Sequence, residues 1–89
     1  MRIRGEFFDV NVNITTNRGN IDIVVSVKIS KKAVVRNRIR RHVREILRSY
    51  NKTKSFGGLN LKIIAQPKIV GIRFGDINND LVSILSKIR

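Results

Sequence analysis

The chain is 89 residues long, 42% hydrophobic and free of cysteine, and its nineteen Lys and Arg against six acids give a formal charge of +13 and a pI near 11.6. That length closes one core and leaves no room for a second, so a single domain over residues 1–89 is expected, with no disulfide or thiolate zinc to staple it. Self-repulsion on this scale works against the compact state and exceeds what solubility requires, which makes a polyanion, nucleic acid first, the expected partner.

From Phe8 to Thr15, apolar Phe8, Val10, Val12 and Ile14 alternate with Asp9, Asn11, Asn13 and Thr15, the pattern of a half-buried strand. Thr16-Asn17-Arg18-Gly19-Asn20 supplies turn chemistry. Ile21, Ile23, Val25, Val27 and Ile29 then alternate in the same way, so the two runs are expected to form a hairpin. A helix follows from about Val34 to Tyr50 and ends in the polar string Asn51-Lys52-Thr53-Lys54-Ser55. Beyond the Gly57-Gly58 loop, Leu59 to Ala65 has the composition of a strand that Pro67 ends or places at a sheet margin, and Ile69 to Phe74 that of another. Asp76 is the expected cap of a last helix. Its apolar positions are Ile77, Leu81, Ile84, Leu85 and Ile88, with Lys87 and Arg89 at its negative end. The order strand, strand, helix, strand, strand, helix predicts an α+β domain in which about four strands bury their apolar face under two helices.

The middle helix carries the chemistry. Between Lys28 and Arg48 stand nine of the nineteen basic residues and one acid, Glu45. At about 100° per residue, Val35, Ile39, Val43, Ile46, Leu47 and Tyr50 share one arc and form the buried stripe. Asn37, Arg40, Arg41, Arg44 and Arg48 share the opposite arc, with Arg36 near the apolar border and Arg38 on the far flank. The series Arg36, Arg40, Arg44, Arg48 sets like charges against one another by roughly 0.2 to 0.5 kcal/mol per pair, a strain that a polyanion relieves. Guanidinium forks on a rigid rod meet the closely spaced phosphates of folded RNA with paired charge-assisted hydrogen bonds, and Asn37 adds a donor and an acceptor. Lys28, Lys31 and Lys32 precede the helix, where they either reach phosphates beside its first amide groups or serve solubility alone. Phe7, Phe8 and Tyr50 are candidate stacking surfaces for unpaired bases, although the phase of Phe8 and Tyr50 favours the core.

Other chemistries are poorly supplied. His42 has no second histidine or cysteine with which to build a metal site or a triad, and is expected on the helix surface. A two-metal nuclease needs converging carboxylates, whereas Glu6, Asp9, Asp22, Glu45, Asp76 and Asp80 are scattered. Met1 to Phe8 has no apolar stretch of signal-peptide length, and no segment approaches the ~20 apolar residues of a membrane span. A soluble, cytoplasmic protein with no membrane partner is the expectation.

The run Lys32-Ala33-Val34-Val35-Arg36-Asn37-Arg38-Ile39-Arg40-Arg41-His42-Val43-Arg44-Glu45 closely resembles the signature of the bacterial ribonuclease P protein component, A-V-V-R-N-R-I-[KR]-R-x-x-R-E at the start of its long helix. The likeness is strongest from about Val25 to Leu47 and continues in Leu59-Asn60-Leu61-Lys62-Ile63-Ile64-Ala65, which is similar to the family's D-I-V-I-I-A strand. Two departures stand out. Family members usually begin with a helix bearing aromatic residues, and here only Met1 to Phe7 precede the first strand, as in a short form in which that helix is absent or reduced to a turn. The family's S-K-K-V-G-x segment appears as Val27-Lys28-Ile29-Ser30-Lys31-Lys32, with Lys31 in place of the glycine.

The fold this resemblance implies is a small α+β domain, ribosomal protein S5 domain 2-like, whose βαβ crossover is left-handed against the usual rule. The implied function is that of a noncatalytic subunit that binds the catalytic RNA and precursor tRNA and assists endonucleolytic removal of the tRNA 5′ leader. It implies no cofactor on the protein alone, Mg2+ in the RNA holoenzyme, and no obligate protein partner. Carried over position by position, Arg36, Asn37, Arg38, Arg40, Arg41 and Arg44 contact the catalytic RNA, with Arg48, Lys28, Lys31 and Lys32 beside them, while Phe7 and Phe8 are the candidates for contact with the leader. The alternative is a structural RNA-binding protein, ribosomal or chaperone-like, that uses the same face without serving a reaction.

Overall fold

Alternating burial in three strands and a one-sided apolar stripe on each of two helices converge on a single core. The computed structural model describes residues 1–16, 19–51 and 57–88. Its elements are β1 (Arg2–Arg4), β2 (Phe8–Ile14), β3 (Asn20–Val24), α1 (Ala33–Asn51), β4 (Leu59–Ala65), one 3-10 turn (Pro67–Ile69) and α2 (Phe74–Ser86). The expected turn at Thr16–Asn20, the polar string after α1 and the terminal Arg89 lie partly or wholly outside the described residues.

The four strands form one mixed sheet in the order β1-β2-β4-β3. β2 pairs antiparallel with β4 from Phe8↔Ala65 to Ile14↔Leu59, and β3 pairs parallel with β4 from Asn20↔Asn60 to Val24↔Ile64. The expected hairpin between the first two alternating runs is therefore not formed, because β4 lies between them. A period of two fixes which residues share a face but not which strand is the neighbour. β4 buries Leu59, Leu61, Ile63 and Ala65 and takes an interior place with partners on both edges. β3 leaves Ile21 37% exposed and takes the margin.

The second alternating run ends sooner than its pattern suggests. Ser26 and Ser30 accept hydrogen bonds from the main-chain N–H of Lys28 and Lys32 (both 3.2 Å), and Ile29 N donates to Ser26 O at 3.0 Å. These local bonds replace strand pairing, as serine side chains do in turns. The predicted strand Ile69–Phe74 is also absent. Pro67 lacks an N–H and opens a 3-10 turn, Gly71 adopts φ 79°, and the donors of Ile69, Val70 and Ile72 bond three residues back. Only Ile69 of that run enters the core, at 1% exposure.

Ahead of β2, where the family's first helix was expected to be absent or reduced to a turn, β1 pairs antiparallel with β2 (Arg2↔Asn11 to Arg4↔Asp9). The chain then bends onto α2, where Asp80 accepts from the N–H of Glu6 (2.8 Å) and of Phe7 (2.9 Å). Gly5 makes the approach feasible: a Cβ there would lie 2.7 Å from Asp80 Oδ1 and would also meet Ile84 Cδ1. Asp76 is not the cap of α2. Arg73 holds that position without a side-chain bond, and Asp76 sits in the first turn, where its charge suits the helix dipole. Both helices cover the same sheet face, α1 through Ile39, Val43, Ile46 and Leu47, and α2 through Ile77, Leu81, Ile84 and Leu85.

Candidate nucleic-acid interface

The sequence from Ala33 to Asn51 contains no Gly or Pro and keeps its apolar residues on one side, so it forms 19 residues of helix anchored by that stripe. Burial then sorts the basic residues. Asn37, Arg38, Arg41, Arg44 and Arg48 are exposed, whereas Arg36 and Arg40 are half-buried. The two half-buried side chains brace the connection between β3 and α1. Arg36 Nη1 donates to Ser30 O at 2.7 Å, and Arg40 Nη2 donates to Val25 O and Nη1 to Asn37 Oδ1, each at 3.2 Å. The wheel already set Arg36 at the apolar border, which was a signal for such a role. Nothing in the sequence pointed Arg40 to a carbonyl fifteen positions away.

The braced connection presents Lys28, Lys31 and Lys32, all exposed, beside the start of α1. No acid lies in the first turn of the helix, so its free amide groups and the three ammonium groups form one positive end. Among the described residues, the one ion pair is Arg2 with Asp9 (3.1 Å), in the sheet. The exposed arginines of α1 thus have no carboxylate partner among these residues, and their donors face solvent. An array of unpaired guanidinium forks along one rigid edge can bind several phosphates at once.

The aromatic candidates fall elsewhere. Phe7 (6% exposed) and Phe8 (0%) are core residues and present no ring face for stacking, and Tyr50 packs half-buried against the same core. The phase of Phe8 and Tyr50 already favoured the core, whereas nothing in the pattern placed Phe7. His42 is half-buried rather than free on the surface, and its ring stands edge-on to Phe74 at 4.8 Å and 79°. The sheet's other face, turned away from both helices, carries Asn11, Asn13, Asn20, Asp22, Asn60 and Lys62 around a shallow concavity. That amide-rich surface was not singled out from sequence because each asparagine looks like the polar half of a strand; the register brings them together. Among the described residues, no group of three or more His, Cys, Asp or Glu could hold a metal ion, and no helix is long and apolar enough to cross a membrane.

The sequence model of the Ribonuclease P family matches residues 1–89. The ribonuclease P protein component of Thermus scotoductus is 38% identical over 84 residues, covering 94% of this chain and 48% of that protein. That of Rickettsia canadensis is 35% identical over 69 residues, 75% of this chain and 58% of that protein. The chain spans about half the length of these curated relatives. The solved ribonuclease P protein from Thermotoga maritima superposes with a TM-score of 0.84 at 28% identity, covering 100% of this chain and 84% of that one.

Proposed function

The chain belongs to the ribonuclease P protein family, and from that premise we propose that it is the noncatalytic protein subunit of the ribonucleoprotein enzyme that removes the 5′ leader from precursor tRNA. Its partner is the catalytic RNA, docked on the exposed edge of α1 and on the lysines before it. The observation that carries this reading is the set Asn37, Arg38, Arg41, Arg44 and Arg48, exposed on a packed helix and, among the described residues, in no ion pair. The RNA and its Mg2+ supply the chemistry, and the protein contributes charge, orientation and a second surface. That second surface is the amide-rich outer face of the sheet, where Asn11, Asn13, Asn20 and Asn60 offer donors and acceptors to a single-stranded leader. The complex works in the cytoplasm.

Reconstitution tests the reading. Precursor tRNA cleavage by the cognate catalytic RNA at low Mg2+ is expected to rise when the chain is added. If the chain binds that RNA without raising cleavage, it is a structural RNA-binding protein and the subunit assignment is lost.

A further inference from the structure

A cleft of about 220 Å3 opens between α1 and the turn that leads into α2. Its floor is apolar, made by Ile39, Ile69 and Ile77, which are 6%, 1% and 3% exposed. Its rim holds exposed Arg38 and half-buried His42, one helical turn apart on the same flank of α1. Phe74 stands beside the lining of the cleft, edge-to-face with His42, so the edge of one ring meets one face of the other and this contact covers no other ring face. Phe74 remains 42% exposed at the first position of α2 and does not belong to the core. Gly71, at φ 79°, turns the lip of the cleft away, with no atom within 4 Å of where its Cβ would stand.

We propose that this cleft holds one unpaired nucleobase of an RNA strand, against the His42–Phe74 pair, with the adjoining phosphate on Arg38. An apolar floor, ring faces and a cation at the mouth are the chemistry by which proteins hold splayed RNA bases. The size limits the occupant. The cleft is smaller than the roughly 300 to 1,000 Å3 that encloses a drug-sized ligand, and too short for the several anchors with which an amphipathic helix docks in a groove. Charge selects among single-ring ligands: Arg38 continues the unpaired cationic edge of α1, so a ring that carries a phosphate is favoured over a neutral one. The inference rests on the RNA-binding reading and adds to it a pocket for a base, on the flank of α1 rather than on the sheet.

Binding of a short single-stranded oligoribonucleotide to the full chain tests it, with a matched strand that lacks bases as the second probe. Phe74→Ala is expected to weaken binding of the ordinary strand by roughly 5- to 150-fold, the effect of losing one stacked base. Its salt dependence should stay that of the wild type, whereas Arg38→Ala should flatten the slope by about 0.7. Phe74→Trp should retain affinity, and the base-free strand should not distinguish Phe74→Ala from the wild type. Because Phe74 is exposed, the fold should survive its truncation, which a thermal melt checks; His42→Ala gives a second route to the same loss. Unchanged affinity in both variants overturns the pocket, and so does an equal loss with the base-free strand. Self-association abolished by Phe74→Ala, with RNA affinity intact, would assign the cleft to a second copy of the chain and also overturn it. If wild-type chain stimulates the catalytic RNA while Phe74→Ala binds and stimulates equally well, the pocket fails and the subunit reading stands. If single-stranded RNA binds as described but cleavage never rises, the subunit reading fails and the pocket stands.

Discussion

Replacing Arg41, Arg44 and Arg48 together by alanine separates ligand-facing arginines from bracing ones, because none of the three makes a hydrogen bond or ion pair within the described residues. If each holds one phosphate, the slope of log affinity against log salt should flatten by about 2 to 2.7, taking roughly 0.7 to 0.9 per contact. The free protein should not suffer. The triple change removes the Arg40–Arg44 and Arg44–Arg48 repulsions, each worth roughly 0.2 to 0.5 kcal/mol, and alanine is the better helix former, so stability should rise by up to about 1 kcal/mol. Arg36 and Arg40 predict the opposite sign. Their loss removes side-chain bonds to Ser30 O and Val25 O, at about 0.5 to 1.5 kcal/mol each, offset only in part by relieved repulsion. A net loss near 1 kcal/mol would lower the melting temperature by about 4 to 8 °C in a domain of this size. Salt-titrated RNA binding and thermal melts of both sets decide. Equal slopes in the wild type and the Arg41/Arg44/Arg48 variant would refute the assignment of that edge to phosphate, and a melting temperature unmoved by the loss of Arg36 and Arg40 would refute the brace.

Gly5→Ala should destabilise the protein by about 1 to 3 kcal/mol through overpacking against Asp80 and Ile84. Gly75→Ala, where a Cβ meets nothing within 4 Å in the first turn of α2, should stabilise it by about 0.4 to 1 kcal/mol. Denaturant titration of the two variants checks both signs, and like signs would discredit the account of the N-terminal clamp. Inorganic sulfate at about a hundred times its dissociation constant should stabilise the native state by roughly 2.7 kcal/mol, since the +13 chain offers anions a preformed site. A melting temperature indifferent to sulfate at constant ionic strength would contradict that.

The helix–sheet composition, the limits of β4 and the buried stripe of α1 were legible in the sequence because each depends on local pattern and composition. Leu59–Ala65 is short, rich in branched residues and followed by Pro67, and Ile39, Val43 and Ile46 repeat at helical spacing. What local pattern does not contain is the neighbour. The partner of β2, the bend that converts Ile69–Phe74 from a strand into a turn, and the meeting of four asparagines across the sheet depend on register and on a proline and a glycine acting through the backbone. The candidate site divides in the same way. The exposed arginines follow from the helical wheel, whereas the brace, the burial of Phe7 and the pairing of His42 with Phe74 come from elements packed against α1.

Two of these gaps have one physical origin. Parallel neighbours such as β3 and β4 cannot be joined by a tight turn; the chain must cross the inner face of the sheet before the second strand begins, and α1 is that crossing. The start of α1 therefore stands at the end where β3 finishes, and residues 25–32 must fold back on themselves to join the two. A hairpin between β2 and β3 would have carried no such requirement. The fold-back leaves the carbonyls of Val25 and Ser30 turned toward the first turns of the helix, where the long side chains of Arg36 and Arg40 reach them. The topology that removes the hairpin thus sets Lys28, Lys31 and Lys32 at the positive end of α1, and two arginines of the same helix hold them there.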